Sequence, residues 1–258
     1  MKLKLGLQTS GRKVTLMPET SPVVLITGAG VRLGAEAALT LGKRGCKLAL
    51  HYRSSRTGLD SVVEQLKDLK CDYEIFQADL QDPQSHRPLV EDVLKRFGGI
   101  DVLLNNAGIY KEVAFEEVSE SAFDEMIAIN LKAPFFLAQA AAQSLKERGG
   151  SIINITDTDV AAPYGGFAHY FASKGGLEVV TRALAKELGP EVRVNGIGPG
   201  TVAIPVGMSE EEGLALGDAV PLKRVGTPSD IANAVEFLTF NAPYMTGQIL
   251  RIDGGRVV

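Results

Sequence analysis

Val23-Val24-Leu25-Ile26-Thr27-Gly28-Ala29-Gly30-Val31-Arg32-Leu33-Gly34 is the stretch from which the architecture can be read. Its unbroken apolar opening predicts a strand buried on both faces, because a strand with one wet face alternates apolar and polar side chains. The glycines then make a tight turn, and Leu33 to Arg44 continues as a helix. Outward from this stretch the same strand-then-helix rhythm repeats. Strands are predicted at Val23–Thr27, Lys47–His51, Tyr73–Gln77, Val102–Asn105, Ser151–Ile155, Arg193–Ile197 and Ile249–Ile252. Helices are predicted around Leu33–Arg44, Arg56–Leu69, Pro83–Phe97, Ala122–Arg148, Ala168–Leu188 and Pro228–Phe240. Seven strands alternating with helices imply an α/β fold, a doubly wound parallel sheet in one domain over residues 21–258. Residues 1–20, where Lys2-Leu3-Lys4-Leu5 alternates and Ser10-Gly11 turns, read equally as an appended β-hairpin or a disordered leader.

At 258 residues, 45% of them hydrophobic and 22% charged, the chain can bury a full core. A formal net charge of -4 supplies no overall basic field to attract nucleic acid or an anionic membrane, so a small-molecule partner is expected. Cys46 and Cys71, the two cysteines, form no metal-spaced cluster and suit a reducing cytoplasm. No run approaches the roughly 18 apolar residues of a membrane span, and residues 1–20 lack the apolar core of a signal peptide. A cytoplasmic location follows as the expectation.

In doubly wound sheets ligands gather at the carboxyl ends of the strands, so the residues after each strand carry the chemistry. Gly28, Gly30 and Gly34 let backbone approach a pyrophosphate, while the helix beginning at Arg32 and Leu33 presents free N–H groups to it. An ordinary glycine-rich turn would look alike, but this one sits between strand and helix. After the second strand comes His51-Tyr52-Arg53-Ser54, with no carboxylate to bind a ribose diol. Arg53, Ser54 and Arg32 are donors for a 2′-phosphate, which favours NADP(H) over NAD(H) unless the arginines are solvated surface charges. Asp79-Leu80 after the third strand can accept from an adenine amino group. Asn106-Ala107-Gly108 after the fourth can pin the strand ends, and Pro199-Gly200 after the sixth lets backbone pass close to a nicotinamide or phosphate.

Tyr170 and Lys174 stand four apart in a helical segment, on one face about one turn apart. An ammonium there would favour the phenolate and lower the phenol's pKa from about 10 toward working pH, making it a usable acid or base. Alone, such a pair is more often a packed aromatic and a solvated charge.

In this order and context the motifs resemble those of the short-chain dehydrogenase/reductases across Val23 to Gly255. The resemblance implies a three-layer Rossmann domain, hydride transfer at the nicotinamide C4 and, commonly, a homotetramer built partly on the helices ending near Arg148 and Leu188. It also implies that Tyr170 protonates the substrate, that Lys174 binds the nicotinamide ribose, and that Asn130 helps complete a proton relay.

Two positions depart from the general pattern. Arg32 replaces a loop glycine, and Asp157 stands thirteen residues before Tyr170, where a serine is usual. Both are similar to pteridine reductases, as is His51-Tyr52-Arg53-Ser54, and Tyr110 falls where that subgroup stacks an aromatic ring on the pterin. Asp157 can accept from a pterin's amino and ring N–H groups, and partial burial would raise its pKa so that it shares a proton with Tyr170. Gly108, by contrast, keeps the general-family residue where pterin-reducing relatives often carry serine. Reduction of a pterin-like C=N bond is thus the first expectation. Reduction of a carbonyl such as a 3-oxoacyl thioester on acyl carrier protein is the alternative, and a non-catalytic NADPH sensor the third reading. The segment Thr201–Val220 is expected to form a substrate loop with Gly207, Gly213 and Gly217 as hinges and Ile204, Val206 and Met208 as its apolar wall.

Overall fold

Side-chain alternation along the strands sorts the core into two layers. In the computed structural model, which describes residues 21–54, 56–203 and 209–258, seven strands form one all-parallel sheet. They are β1 (Val23–Ile26), β2 (Lys47–Tyr52), β3 (Tyr73–Gln77), β4 (Val102–Asn105), β5 (Ser151–Ile155), β6 (Arg193–Pro199) and β7 (Ile249–Ile252). Their order is β3-β2-β1-β4-β5-β6-β7, so the chain reverses its direction of progress between β1 and β4. The helices are α1 (Arg32–Lys43), α2 (Thr57–Asp68), α3 (His86–Phe97), α4 (Glu120–Ile127), α5 (Ala133–Arg148), α6 (Ala168–Glu187), α7 (Glu210–Asp218) and α8 (Pro228–Phe240).

Val24, Ile26, Leu48, Leu50, Val102 and Leu104 pack on one face with residues of α1, α2 and α8. Their strand neighbours Leu25, Ala49 and Leu103 point the other way, into a second cluster with residues of α3, α5 and α6. This period-two division explains why the strands read as continuous apolar runs: each face has its own helical cover. The architecture is the expected three-layer, doubly wound Rossmann fold. Among the described residues no helix is long and apolar enough to cross a membrane.

The differences from the sequence reading have local causes. The helix predicted from Ala122 to Arg148 starts at Glu120 and widens into a π-turn at Ala128–Lys132. Pro134 has no N–H to offer the carbonyl four residues back, that of Asn130, and Ala133 instead donates to Ala128, five back. The helix predicted from Pro83 starts at His86, because Ser85 donates its hydroxyl to the Asp79 and Asp82 carbonyls in the preceding turn. Gly213 and Gly217, expected as loop hinges, lie inside α7, which a reciprocal Ser209–Glu212 capping box nucleates. The other hinge, Gly207, the apolar wall Ile204, Val206 and Met208, and the N-terminal hairpin or leader lie outside the described residues.

Candidate active site

The loop after β1 is tightly built. Gly28 adopts a positive φ of 65° and donates its N–H to Nδ1 of His51, whose Nε2 lies 3.0 Å from the Ala78 carbonyl. This pairing selects the Nε2–H tautomer, and burial holds the His51 pKa below its usual value, so the ring is a neutral strut. Both nitrogens are spent inside the protein, and His51, expected to touch the nucleotide, supports the loop from beneath instead. Tyr52 is half-buried against the core, while Arg53 and Ser54 are exposed at the end of β2. Asn106 donates its side-chain amide to the Thr27 and Gly28 carbonyls, and Thr27 Oγ1 accepts from the Asn106 and Ala107 N–H groups. The turn after β4 thus pins the glycine loop.

Gly34 packs so closely that a methyl there would overlap the Gly28 carbonyl and stand 2.6 Å from Asn106 Nδ2. Gly34→Ala is expected to lower stability by about 1–3 kcal/mol through overpacking, read as a drop in the thermal midpoint. α1 starts from an extended Val31 with no side-chain cap, so its first N–H groups face the loop. Arg32 begins that helix at φ 48°, a left-handed conformation that costs a non-glycine residue about 1–2 kcal/mol. Strain of this kind persists where a site needs the side chain. Among the described residues neither Arg32 nor Arg53 has a carboxylate within ion-pair distance. Asp79 is exposed and accepts from the Gln81 N–H within its own turn, and Leu80 is buried. Beyond β6, Gly200 leaves no room for a side chain, since a Cβ would stand 2.7 Å from the Asp253 Cα.

The reacting groups converge where β5 meets α6. Tyr170 donates its hydroxyl to Asp157 Oδ2 at 2.6 Å, and the other carboxylate oxygen accepts from the Asp159 N–H at 2.8 Å. Lys174 is buried and donates to the Ile155 carbonyl at 2.8 Å. Burial and then Asp157 push the Tyr170 pKa well above 10, so the phenol is set to hold its proton. This corrects the expected electrostatic pairing: in this geometry the ammonium bonds a backbone carbonyl, and the nearest charge to the phenol is negative. Burial raises the Asp157 pKa against the lowering effect of the Tyr170 hydrogen bond, as its position suggested. Burial lowers that of Lys174 from 10.5 to about 8.

Asn130 lies in the π-turn, with Oδ1 accepting from the Ile109 N–H at 2.8 Å and Nδ2 donating to the Ile109 carbonyl and Ser173 Oγ. Its side chain therefore braces the segment before Tyr110 against α6. Gly108 lets this brace close, since a Cβ would stand 3.1 Å from Asn130 Oδ1 and 3.4 Å from Lys174 Nζ.

The tyrosine is framed by aromatic rings of which sequence reasoning found only one. Tyr110 stacks on Phe167 at 4.4 Å between centroids and meets Tyr170 edge-on at 4.8 Å. Tyr110 and Tyr164 join through their hydroxyls at 2.9 Å, and Phe171 packs against Tyr164 and Tyr170. The five come from two segments, and spacing alone carries no signal that Tyr164, Phe167 and Phe171 fold onto Tyr110. Asp159 and Arg256 were also missed as partners; they form an ion pair at 2.6 Å.

A family model described as enoyl-(acyl carrier protein) reductase matches residues 28–256. A short-chain dehydrogenase/reductase from Serratia marcescens superposes with a TM-score of 0.86 at 30% identity, covering 92% of this chain and 98% of that one. The chain belongs to the short-chain dehydrogenase/reductase family. Within this family of oxidoreductases it is 35% identical, over 90% of its length and 96% of the relative's, to the 3-oxoacyl-[acyl-carrier-protein] reductase FabG of Staphylococcus aureus. It is also similar to a blue fluorescent protein from a metagenomic library, solved in complex with NADPH, with a TM-score of 0.85 and 33% identity over 92% of this chain and 98% of that one.

Proposed function

We propose that this short-chain oxidoreductase uses NADP(H) to reduce a carbonyl group, with Tyr170 as proton donor. The 2.6 Å hydrogen bond between Tyr170 and Asp157 carries the reading. The glycine loop, the uncapped start of α1 and the exposed Arg32, Arg53 and Ser54 fit a pyrophosphate and a 2′-phosphate. The NADPH-bound relative supports the same nucleotide. When bound, the cofactor supplies a hydride to the electrophilic carbon.

The chain's own groups then manage the proton. A phenol whose pKa burial pushes up keeps its proton in the resting state, so that proton is present when an oxygen gains charge as hydride arrives. Asp157, its pKa raised by burial, can carry a proton of its own. In that form the bond to Tyr170 reverses: Asp157 O–H donates to the phenolic oxygen while Tyr170 donates to substrate. After transfer the phenolate recovers a proton from Asp157, as in other sites where a burial-shifted carboxyl serves as acid. Lys174, held by the Ile155 carbonyl, would bind the nicotinamide ribose, and Asn130 holds the Ile109–Tyr110 segment over the site.

The FabG relative moves the favoured substrate from the pterin C=N bond toward a carbonyl such as a 3-oxoacyl thioester. Pterin reduction stays as the second reading, because Asp157 replaces serine and Tyr110 and Phe167 stack beside it. A homotetramer is proposed on α5 and α6, where Phe135, Phe136 and Val179 stand exposed.

NADPH consumption, followed by absorbance with acetoacetyl thioesters, diketones and dihydropterins, tests the reading. Turnover of the carbonyl compounds is expected. Turnover of dihydropterins alone establishes the second reading, and nucleotide binding without any turnover favours a sensor. Arg53→Ala should narrow the NADPH over NADH preference about tenfold, corresponding to loss of one charge-assisted phosphate contact of about 1.5 kcal/mol. An unchanged ratio of kcat/KM values removes Arg53 from the phosphate site.

A further inference from the structure

The segment after β7 is tied twice to the turn that carries Asp157. Thr158 donates its hydroxyl to Asp253 Oδ2 at 2.7 Å, and Asp253 also accepts from the Gly255 and Val257 N–H groups. Gly254 and Gly255, both at positive φ, curl the chain back so that Arg256 Nε reaches Asp159 Oδ1 at 2.6 Å. The side chains of both partners are largely withdrawn from water, at 26% and 13% exposure, so their charges are weakly screened. The turn consequently holds two carboxylates with different partners: Asp157 faces a phenol, and Asp159 faces a guanidinium.

Tyr170 and Lys174 of α6 and Asp159 of its own turn act on Asp157. The charge on Asp157 is felt in turn by Tyr110, Tyr164 and Arg256. Within this set Arg256 is the counter-charge to Asp159. We propose that Arg256 is a positioning residue of the active site: by holding Asp159 it fixes the 157–161 turn and cancels the second negative charge beside Asp157, so setting the pH range in which Asp157 keeps the proton it relays to Tyr170. This rests on the proton-relay reading above.

The two partners make opposite predictions. Arg256→Ala leaves Asp159 uncompensated, and a like charge raises a carboxyl's pKa; Asp159→Asn leaves Arg256 uncompensated, and an opposite charge lowers it. The carboxyl carbon of Asp157, followed by NMR in the full chain without nucleotide and identified by its loss in Asp157→Asn, should titrate about one pH unit higher in Arg256→Ala and about one lower in Asp159→Asn. The high-pH limb of the kcat profile should move with it, because activity falls as Asp157 loses its proton. Arg256→Lys should restore the wild-type midpoint, and it keeps the test readable should the alanine variant fold poorly. Midpoints that stay put, or that move in the same direction in the two variants, overturn the proposal. So does a fall in kcat for Arg256→Ala with the Asp157 midpoint unmoved, which marks a purely structural tail. Opposed NMR shifts in a chain that reduces no carbonyl or pterin compound support the coupling and sink the reductase reading alone.

Discussion

Tyr170→Phe is expected to lower kcat by about two to four orders of magnitude, the range supplied by a positioned general acid, while nucleotide affinity stays within about twofold. The ring is buried at the centre of the aromatic cluster, and phenylalanine keeps its packing with Tyr110 and Phe171. The change removes one oxygen and with it the 2.6 Å bond to Asp157. It leaves the glycine loop untouched, since His51 of β2 and Asn106 after β4 hold that loop. Single-turnover NADPH oxidation beside fluorescence titration of nucleotide separates the two effects. A variant with substantial turnover would refute the assignment of Tyr170 as donor.

Lys174→Met is expected to abolish turnover to a similar degree and yet to make the protein more stable at neutral pH. Burial without a carboxylate partner lowers the Lys174 pKa from 10.5 to about 8, with Asp157 only partly offsetting it. The unfolded chain keeps that proton up to about pH 10.5, so the penalty of burying the ammonium, about 3 kcal/mol, is fully present below pH 8. It is relieved as pH rises from about 8 to 10.5, because there the unfolded state binds more protons than the folded one. Methionine fills similar space and removes the penalty, against the loss of the bond to the Ile155 carbonyl. A net gain of about 1–2 kcal/mol at pH 7 corresponds to a rise of roughly 2–8 °C in thermal midpoint. The gain over wild type should shrink across that pH window. A variant less stable than wild type at pH 7 would show that the hydrogen bond outweighs the charge. Retaining so costly a cation is what a functional group does and a packing residue does not.

Much of this protein is legible along the chain because its signals are local. Strand β1 can be recognised from Val23 to Ile26 without any partner, since burial on both faces leaves no polar residue in the run. The glycine loop and the Tyr170–Lys174 pair are also within reach, being set by spacings of a few residues. Signals that depend on two local rules at once are harder. The π-turn at Asn130 comes from Pro134, but proline near a helix start is ordinary, and only the continuous helical run from Glu120 shows that it falls inside one. The capping box of α7 lies in the sequence as Ser209 and Glu212, within a segment whose glycines read as loop hinges.

The substrate end of the site was decided by contacts distant in sequence. Asp157 and Tyr170 are both visible to sequence reasoning, but the direction of their coupling is not. Whether the phenol meets a cation or a carboxylate depends on how folding seats α6 beside the end of β5 and the turn that follows it, which puts Lys174 on the Ile155 carbonyl and Tyr170 on Asp157. Arg256 reaches the same turn across 97 residues of separation, through a double-glycine curl that no pattern around Asp159 announces. By itself the sequence determined the parallel sheet, the loop with its arginines and the helical pair Tyr170 and Lys174, because backbone propensity and side-chain period act over neighbours. Only the tertiary structure decided the charge around the phenol, since electrostatic environment is a property of what folding brings within a few ångströms and takes out of water.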